Sequence, residues 1–283
     1  MSPSQLLPGL GVRPSDLPQQ PIAYFDSGVG GLTVLEAIER ACPGEGAYYI
    51  ADQAHVPYGG RPLDEVRGFA ERLTAHAFEA GAKLVVMACN ISSATYAADA
   101  AERWGADRVL GVVDPGAAAA LRTSLSGRLG VLATQGTVDS EAYPRAVHAL
   151  GPKARVTQRA CPRFVPLVEA GELTGPAAED ACREALEPLL SAAVDTVVLG
   201  CTHYPYLLPT LQSLAPHIGF IDPARETAER VAQLLEARGL RAEAPVPSTL
   251  YTTGDVVRFA EQVAELLPEH RYEVAALRWP HAA

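Results

Sequence analysis

Lysine is nearly absent from this 283-residue chain: only Lys83 and Lys153 occur. Neither stands at the carboxyl edge of an expected strand, where a pyridoxal Schiff base would need its amine, which argues against pyridoxal phosphate. Five cysteines, Cys42, Cys89, Cys161, Cys182 and Cys201, are scattered without a C-x-x-C pair. Odd in number and far apart, they exclude a disulfide framework and a zinc ribbon, and suit reduced thiols in a cytoplasm. No H-E-x-x-H, EF-hand or close His/Cys cluster suggests a metal, and no Walker-type loop suggests nucleotide hydrolysis. The expectation is an enzyme with neither cofactor nor metal. Apolar runs fall short of the roughly eighteen residues a membrane helix needs, and the N-terminus lacks a secretory signal, so the protein is expected in the cytoplasm, away from membranes. Acids outnumber bases by 33 to 23, and the resulting charge of −10 repels phosphate backbones, which disfavours nucleic acid as a partner.

What is present is an α/β pattern. The short apolar runs IAYF, AYYIA, LVVMA, VLGVV, LGVLA, ARVTQ, TVVLG and GFI read as strands, with amphipathic helical stretches between most of them. This alternation predicts mainly parallel sheets. In LDEVRGFAERLTAHAFEAG, Leu63, Val66, Ala70, Leu73 and Ala77 recur at helical spacing before a stop at Gly81. GPAAEDACREALEPLLSAAVD repeats that crossover, with Pro188 expected to kink or interrupt it. The chain length allows about two domains of roughly 150 residues. Two similar α/β halves are expected: residues 21–114 with 222–283, where STLYTT returns as a strand, and residues 115–221, divided at Asp114-Pro115. Residues 1–20, rich in Pro, Gly, Ser and Gln, read as a loose tail.

The two halves echo each other. VVMACNISS and VVLGCTHYP both run from a buried strand into a cysteine, and IAYFDSGVGG and LGVLATQGTV both run from a strand into a loop of small residues. Ligands of open α/β sheets sit at the carboxyl ends of strands. Cys89 and Cys201 would both lie there, where helix-start N–H groups stabilise thiolates. Cys42, Cys161 and Cys182 lack that setting and read as structural. The DSGVGG loop misses the third glycine of a dinucleotide fingerprint, and Asp26 would repel a pyrophosphate; its open amides suit a carboxylate instead. Asp26 and His203 are candidate proton handlers, Glu169 is a third, and HVPYGG offers backbone groups and the Tyr58 hydroxyl to a small polar ligand.

Packed face to face, the halves would aim two thiols at opposite faces of one ligand. Removing a proton from one face of a tetrahedral carbon and returning one to the other inverts it, and the reverse reaction exchanges the roles. One group must then be thiolate while the other is thiol.

FDSGVGGLTVL, PYG, ACN, ATQGTV, FVPLVE and GCTHYP occur in the order found in the glutamate racemases of the aspartate/glutamate racemase superfamily, and the chain resembles that family over residues 22–222. The resemblance implies two pseudosymmetric α/β domains with the active site in the cleft between them. It further implies cofactor-independent racemisation, D-glutamate for peptidoglycan and hence for cell wall and cell shape, and a homodimer. Carried over residue by residue, it makes Cys89 and Cys201 the bases, with Asp26, His203 and Glu169 in support. Asp26, Ser27, Pro57, Tyr58 and Gly59 would hold the amino acid, together with Asn90, Ile91, Thr202 and His203. Thr134 and Thr137 match without an assigned role. Ile91 stands where the family has threonine, and Gln53-Ala54-His55 where it has T-A-R, which bears on substrate choice more than on reaction type; Ser92 could replace the lost hydroxyl. Rival readings are a racemase for aspartate or another acidic amino acid, a cysteine hydrolase using Cys201 and His203, and an amino-acid binder.

Overall fold

The computed structural model describes residues 14–279. Its strands, in chain order, are β1 (Ile22–Asp26), β2 (Ala47–Ala51), β3 (Leu84–Met87), β4 (Val109–Gly111), β5 (Arg128–Ala133), β6 (Arg155–Ala160), β7 (Thr196–Gly200), β8 (Gly219–Ile221), β9 (Thr249–Thr252) and β10 (Glu273–Ala276). The helices are α1 (Leu32–Ala41), α2 (Leu63–Glu79), α3 (Asn90–Trp104), α4 (Val113–Thr123), α5 (Gln135–Asp139), α6 (Ala142–Leu150), α7 (Phe164–Glu169), α8 (Pro176–Ser191), α9 (Leu208–Leu214), α10 (Pro223–Ala237) and α11 (Val256–Leu266). The eight expected apolar runs are β1 to β8. STLYTT becomes β9 and rejoins the first sheet beside β2.

The strands form two parallel sheets, ordered β10-β9-β2-β1-β3-β4 and β6-β5-β7-β8. The series β2-β1-β3-β4 and β6-β5-β7-β8 have the same order, so the expected pseudosymmetry is present in the topology. Registers set the equivalences. Phe25 lies opposite Met87 and Leu132 opposite Leu199; Asp26 pairs with Ala51 and Ala133 with Ala160. One residue on, the Asp52 amide donates to the Asp26 carbonyl and the Cys161 amide to the Ala133 carbonyl, both at 2.9 Å. Asp26 therefore matches Ala133, Ser27 matches Thr134, Asp52 matches Cys161, and Cys89 matches Cys201.

Strands β1, β3 and β7 are buried along their whole length, as parallel strands covered by helices on both faces must be. One face of the first sheet packs on α1, α10 and α11 through Leu35, Ile38, Val231 and Phe259, and the other on α2 and α3 through Leu73, Phe78 and Tyr96. The second sheet is covered by α8 and α9 on one face and by α4 and α6 on the other. Gly81, at φ +94°, ends α2 as expected. Cys42 and Cys182 lie in the apolar cores.

Two features differ from expectation. Helix α8 continues to Ser191 through Pro188, whose missing N–H falls in the last turns, where one absent bond is tolerated. Most of the expected tail, residues 1–13, lies outside the described residues, but Pro14–Gln19 is a short 3-10 helix with Leu17 packed on the first core. Among the described residues no helix is long and apolar enough to cross a membrane.

Candidate active site

The carboxyl ends of the two sheets share one cavity of about 390 Å³. Cys89 follows β3 as the N-cap of α3, with extended backbone, and Cys201 follows β7. Both line the cavity and are otherwise covered, at 7% and 8% exposed. Ser27 from the β1 loop, Pro57, Tyr58 and Gly59 from the loop after β2, and Asn90 and Ile91 from the start of α3 line one side. Thr134 and Thr137, Glu169 of α7, and Thr202 and His203 line the other. Asp26, at the end of β1, is 1% exposed and is not among the lining residues.

The electrostatics differ at the two thiols. Burial pushes the Cys89 thiol up to about 12, and the Asp26 charge adds to this; the Ser92 amide and hydroxyl and the Ser27 amide act in the opposite sense. Burial also raises Cys201, against the His203 amide, and the Cys89 and Asp26 charges raise it further. Both groups are thus held predominantly as thiols near neutral pH, so a thiolate needs a positive charge or a base beside it. The Cys201 Sγ lies 3.9 Å from His203 Nδ1, and His203 Nε2 lies 3.8 Å from Glu169 Oε1. Glu169 is 58% exposed, so this chain of groups runs from the thiol to water. Burial raises the Asp26 carboxyl, opposed by the Gly28 amide, the His203 charge, the Gly31 amide and the Thr202 hydroxyl.

Four expectations are corrected by these contacts. The DSGVGG amides are not all open for a ligand carboxylate: the Gly28 N–H donates to Asp26 Oδ1 at 2.8 Å, because the loop already has its own anion. The Tyr58 hydroxyl has already committed its proton. It donates to the buried Asp52 at 2.5 Å, and Asp52 also binds His55 Nδ1 and the Thr253 hydroxyl. Burial and the Asp52 charge raise the Tyr58 phenol, which keeps it a donor. Ser92 is fully buried beside Cys89, so it cannot present its hydroxyl to substrate in place of a residue-91 hydroxyl. Finally, Cys161, read as structural and without a strand-end setting, lines the same cavity. It follows β6 directly, and the strand-end rule that singled out Cys89 and Cys201 applies to it too.

Close contacts join the halves. Thr202 Oγ1 approaches Asp26 Oδ2 at 3.4 Å, and the Gly136 amide donates to the Gly59 carbonyl at 3.1 Å. A Cβ on Gly30 would lie 2.2 Å from Thr202 Oγ1, and one on Gly136 would lie 2.4 Å from Ile91 Cδ1. Glycine at both places lets the two sheets' loops meet. Ile91 itself packs with Tyr58, Val66, Phe69 and Cys89, so the residue that departs from the family pattern fills this junction with hydrocarbon. Among the described residues, no cluster of three or more His, Cys, Asp or Glu side chains could hold a metal.

A cleft between two like parallel sheets, with one thiol supplied by each, defines a two-thiol acid/base site, and the chain belongs to the Asp/Glu/Hydantoin racemase family, which matches residues 27–231. Within that family its similarity is to glutamate racemases. The one from Symbiobacterium thermophilum is 44% identical over 257 residues, covering 88% of this chain and 91% of that protein. The crystal structure of a glutamate racemase isoform from Bacillus anthracis superposes with a TM-score of 0.85 at 33% identity, covering 93% of this chain and 99% of that one. A Francisella tularensis glutamate racemase in complex with D-glutamate gives 0.83 at 26% identity, covering 91% and 97%.

Proposed function

We propose that the protein interconverts L- and D-glutamate without a cofactor, Cys89 and Cys201 acting from opposite faces of the substrate as base and acid. The observation that carries this reading is the matched pair of thiols, one from each sheet, lining one cavity. One thiolate takes the Cα proton; the other thiol delivers its proton to the opposite face; the reverse reaction exchanges them. Entry of the substrate's ammonium group supplies a positive charge beside the two raised thiols and lowers the cost of ionising one. His203, with Glu169 behind it, accepts the Cys201 proton in one direction. Asp26 fixes the β1 loop and Thr202, and so the geometry at Cys89. Ser27, Asn90, Thr202 and the backbone at Pro57, Tyr58 and Gly59 hold the amino acid; developing charge at Cα needs such donors in place beforehand.

The division into residues 21–114 with 222–283 and residues 115–221 belongs to this reading, with the cleft between them as the active site. So do a cytoplasmic location, a homodimer, and D-glutamate supply for peptidoglycan and cell shape. The test is incubation with L-glutamate in D₂O without added cofactor, following circular dichroism and the Cα proton by NMR. Loss of ellipticity with deuterium at Cα supports glutamate as substrate. Turnover of L-aspartate alone would transfer the mechanism to that acid and make Ile91 the first residue to exchange. Racemisation by Cys89→Ser at the wild-type rate would contradict the two-thiol reading, and hydrolysis of an acyl substrate by that variant without racemisation would favour a hydrolase built on Cys201 and His203.

A further inference from the structure

Tyr143 lies at the start of α6, fully buried, and donates its hydroxyl to Asn90 Oδ1 at 2.7 Å. The bond crosses between the sheets, joining a helix of the second to the residue that follows Cys89 in the first. Space is kept for the phenol: a Cβ on Gly200 would lie 3.2 Å from its ring, and one on Gly116 would lie 3.4 Å from its hydroxyl. Burial, with the Asp222 charge, raises the phenol far above its ordinary value, so it remains an O–H donor at any physiological pH.

A primary amide has an accepting end and a donating end. A donor fixed on Oδ1 settles which way Asn90 points, and the opposite end, Nδ2, is left for the cavity that Asn90 lines. This matters because, among the described residues, neither lysine nor arginine lines that cavity, while Glu169 does. An anionic substrate must then be held by neutral N–H and O–H donors. A freely rotating amide would present its carbonyl oxygen part of the time and repel a carboxylate.

We propose that Tyr143 is a positioning residue: by holding the Asn90 carbonyl it locks the amide with its NH₂ toward the substrate, and so makes this part of the cavity select an acceptor. For kinetics the proposal rests on the racemase reading above; for the amide lock it does not.

The test uses Tyr143→Phe, which keeps the buried ring, alone and combined with Asn90→Ala. In the ¹⁵N-labelled, ligand-free protein the Asn90 NH₂ pair is identified as the one lost in Asn90→Ala. Tyr143→Phe is expected to shift that pair towards the values of a free, solvated amide, as rotation about Cβ–Cγ is freed while the two protons stay distinct. With glutamate, KM is expected to rise about three- to ten-fold, the scale of one hydrogen bond, with kcat changed less. In the Asn90→Ala background the same substitution should add nothing. An unmoved NH₂ pair, or an equal loss with and without Asn90, would assign Tyr143 to packing alone and overturn the proposal. If the wild-type protein turned over no glutamate, the racemase reading would fail, while the amide resonances would still decide the lock.

Discussion

The two sheets place their thiols identically and surround them differently. At the ends of β1 and β2 the first half has Asp26 and Asp52, both buried; at the matching positions the second half has Ala133 and Cys161. One residue pair past the thiols, the first half has Ile91, whereas the second has His203. Cys89 thus lies near the Asp26 charge, with Ser92 and Ser27 offsetting it, and Cys201 lies beside an imidazole that leads to Glu169 and water. Repeated topology supplies two-fold geometry, which inversion at carbon requires. Unequal local chemistry lets one thiol ionise while the other keeps its proton, which alternating acid and base requires.

Replacing either thiol breaks the comparison most severely. Cys89→Ser and Cys201→Ser should each reduce racemisation by about 10²- to 10⁴-fold or more, because a hydroxyl is a far poorer base and each face needs its own group; polarimetry measures this. Asp26→Asn removes the first half's anion. Loss of charge-assisted hydrogen bonds should lower kcat/KM by about 10- to 100-fold. Its pH profile should also shift: burial first and the Asp26 charge second hold the Cys89 thiol up, so removing that charge lets the thiolate form at lower pH. The acid limb of kcat/KM should therefore move down the pH scale, and an upward movement would contradict the assignment.

Gly30→Ala tests how closely the halves meet. Its methyl would overlap Thr202 Oγ1 and come within 2.9 Å of His203 Nδ1, so the cost in thermal unfolding should be about 1–3 kcal/mol, with activity reduced as the faces part. Tyr58→Phe has the smallest effect. It should cost about 1 kcal/mol through the lost bond to Asp52 and leave KM for glutamate nearly unchanged. A large rise in KM with unchanged stability would return the Tyr58 hydroxyl to the substrate.

Much of this was legible in the amino-acid order. Parallel strands covered on both faces read as continuous apolar runs, and β1 to β8 follow those runs; the carboxyl-edge rule then located Cys89 and Cys201. β10 was not legible: it is a short edge strand, half-buried, beginning at the exposed Glu273. Side-chain directions were not legible either. Whether the DSGVGG amides serve a ligand or Asp26, and whether Tyr58 faces the cavity or Asp52, depends on which anion folding brings nearer. Local sequence does not encode that choice. The Tyr143–Asn90 bond joins residues 53 apart in the chain and required both sheets to be assembled. Cys161 is the opposite case: the rule that found its two neighbours already covered it.

L- and D-glutamate have equal free energies, so kcat/KM must stay equal in the two directions and cannot reveal which thiol serves which face. Proton exchange can. Purified Cys89→Ser and Cys201→Ser, each incubated separately with L- and with D-glutamate in D₂O, should show deuterium wash-in at Cα without inversion. The two-thiol account predicts exchange of one enantiomer only in each variant, and of opposite enantiomers in the two. Exchange of the same enantiomer by both variants would contradict it.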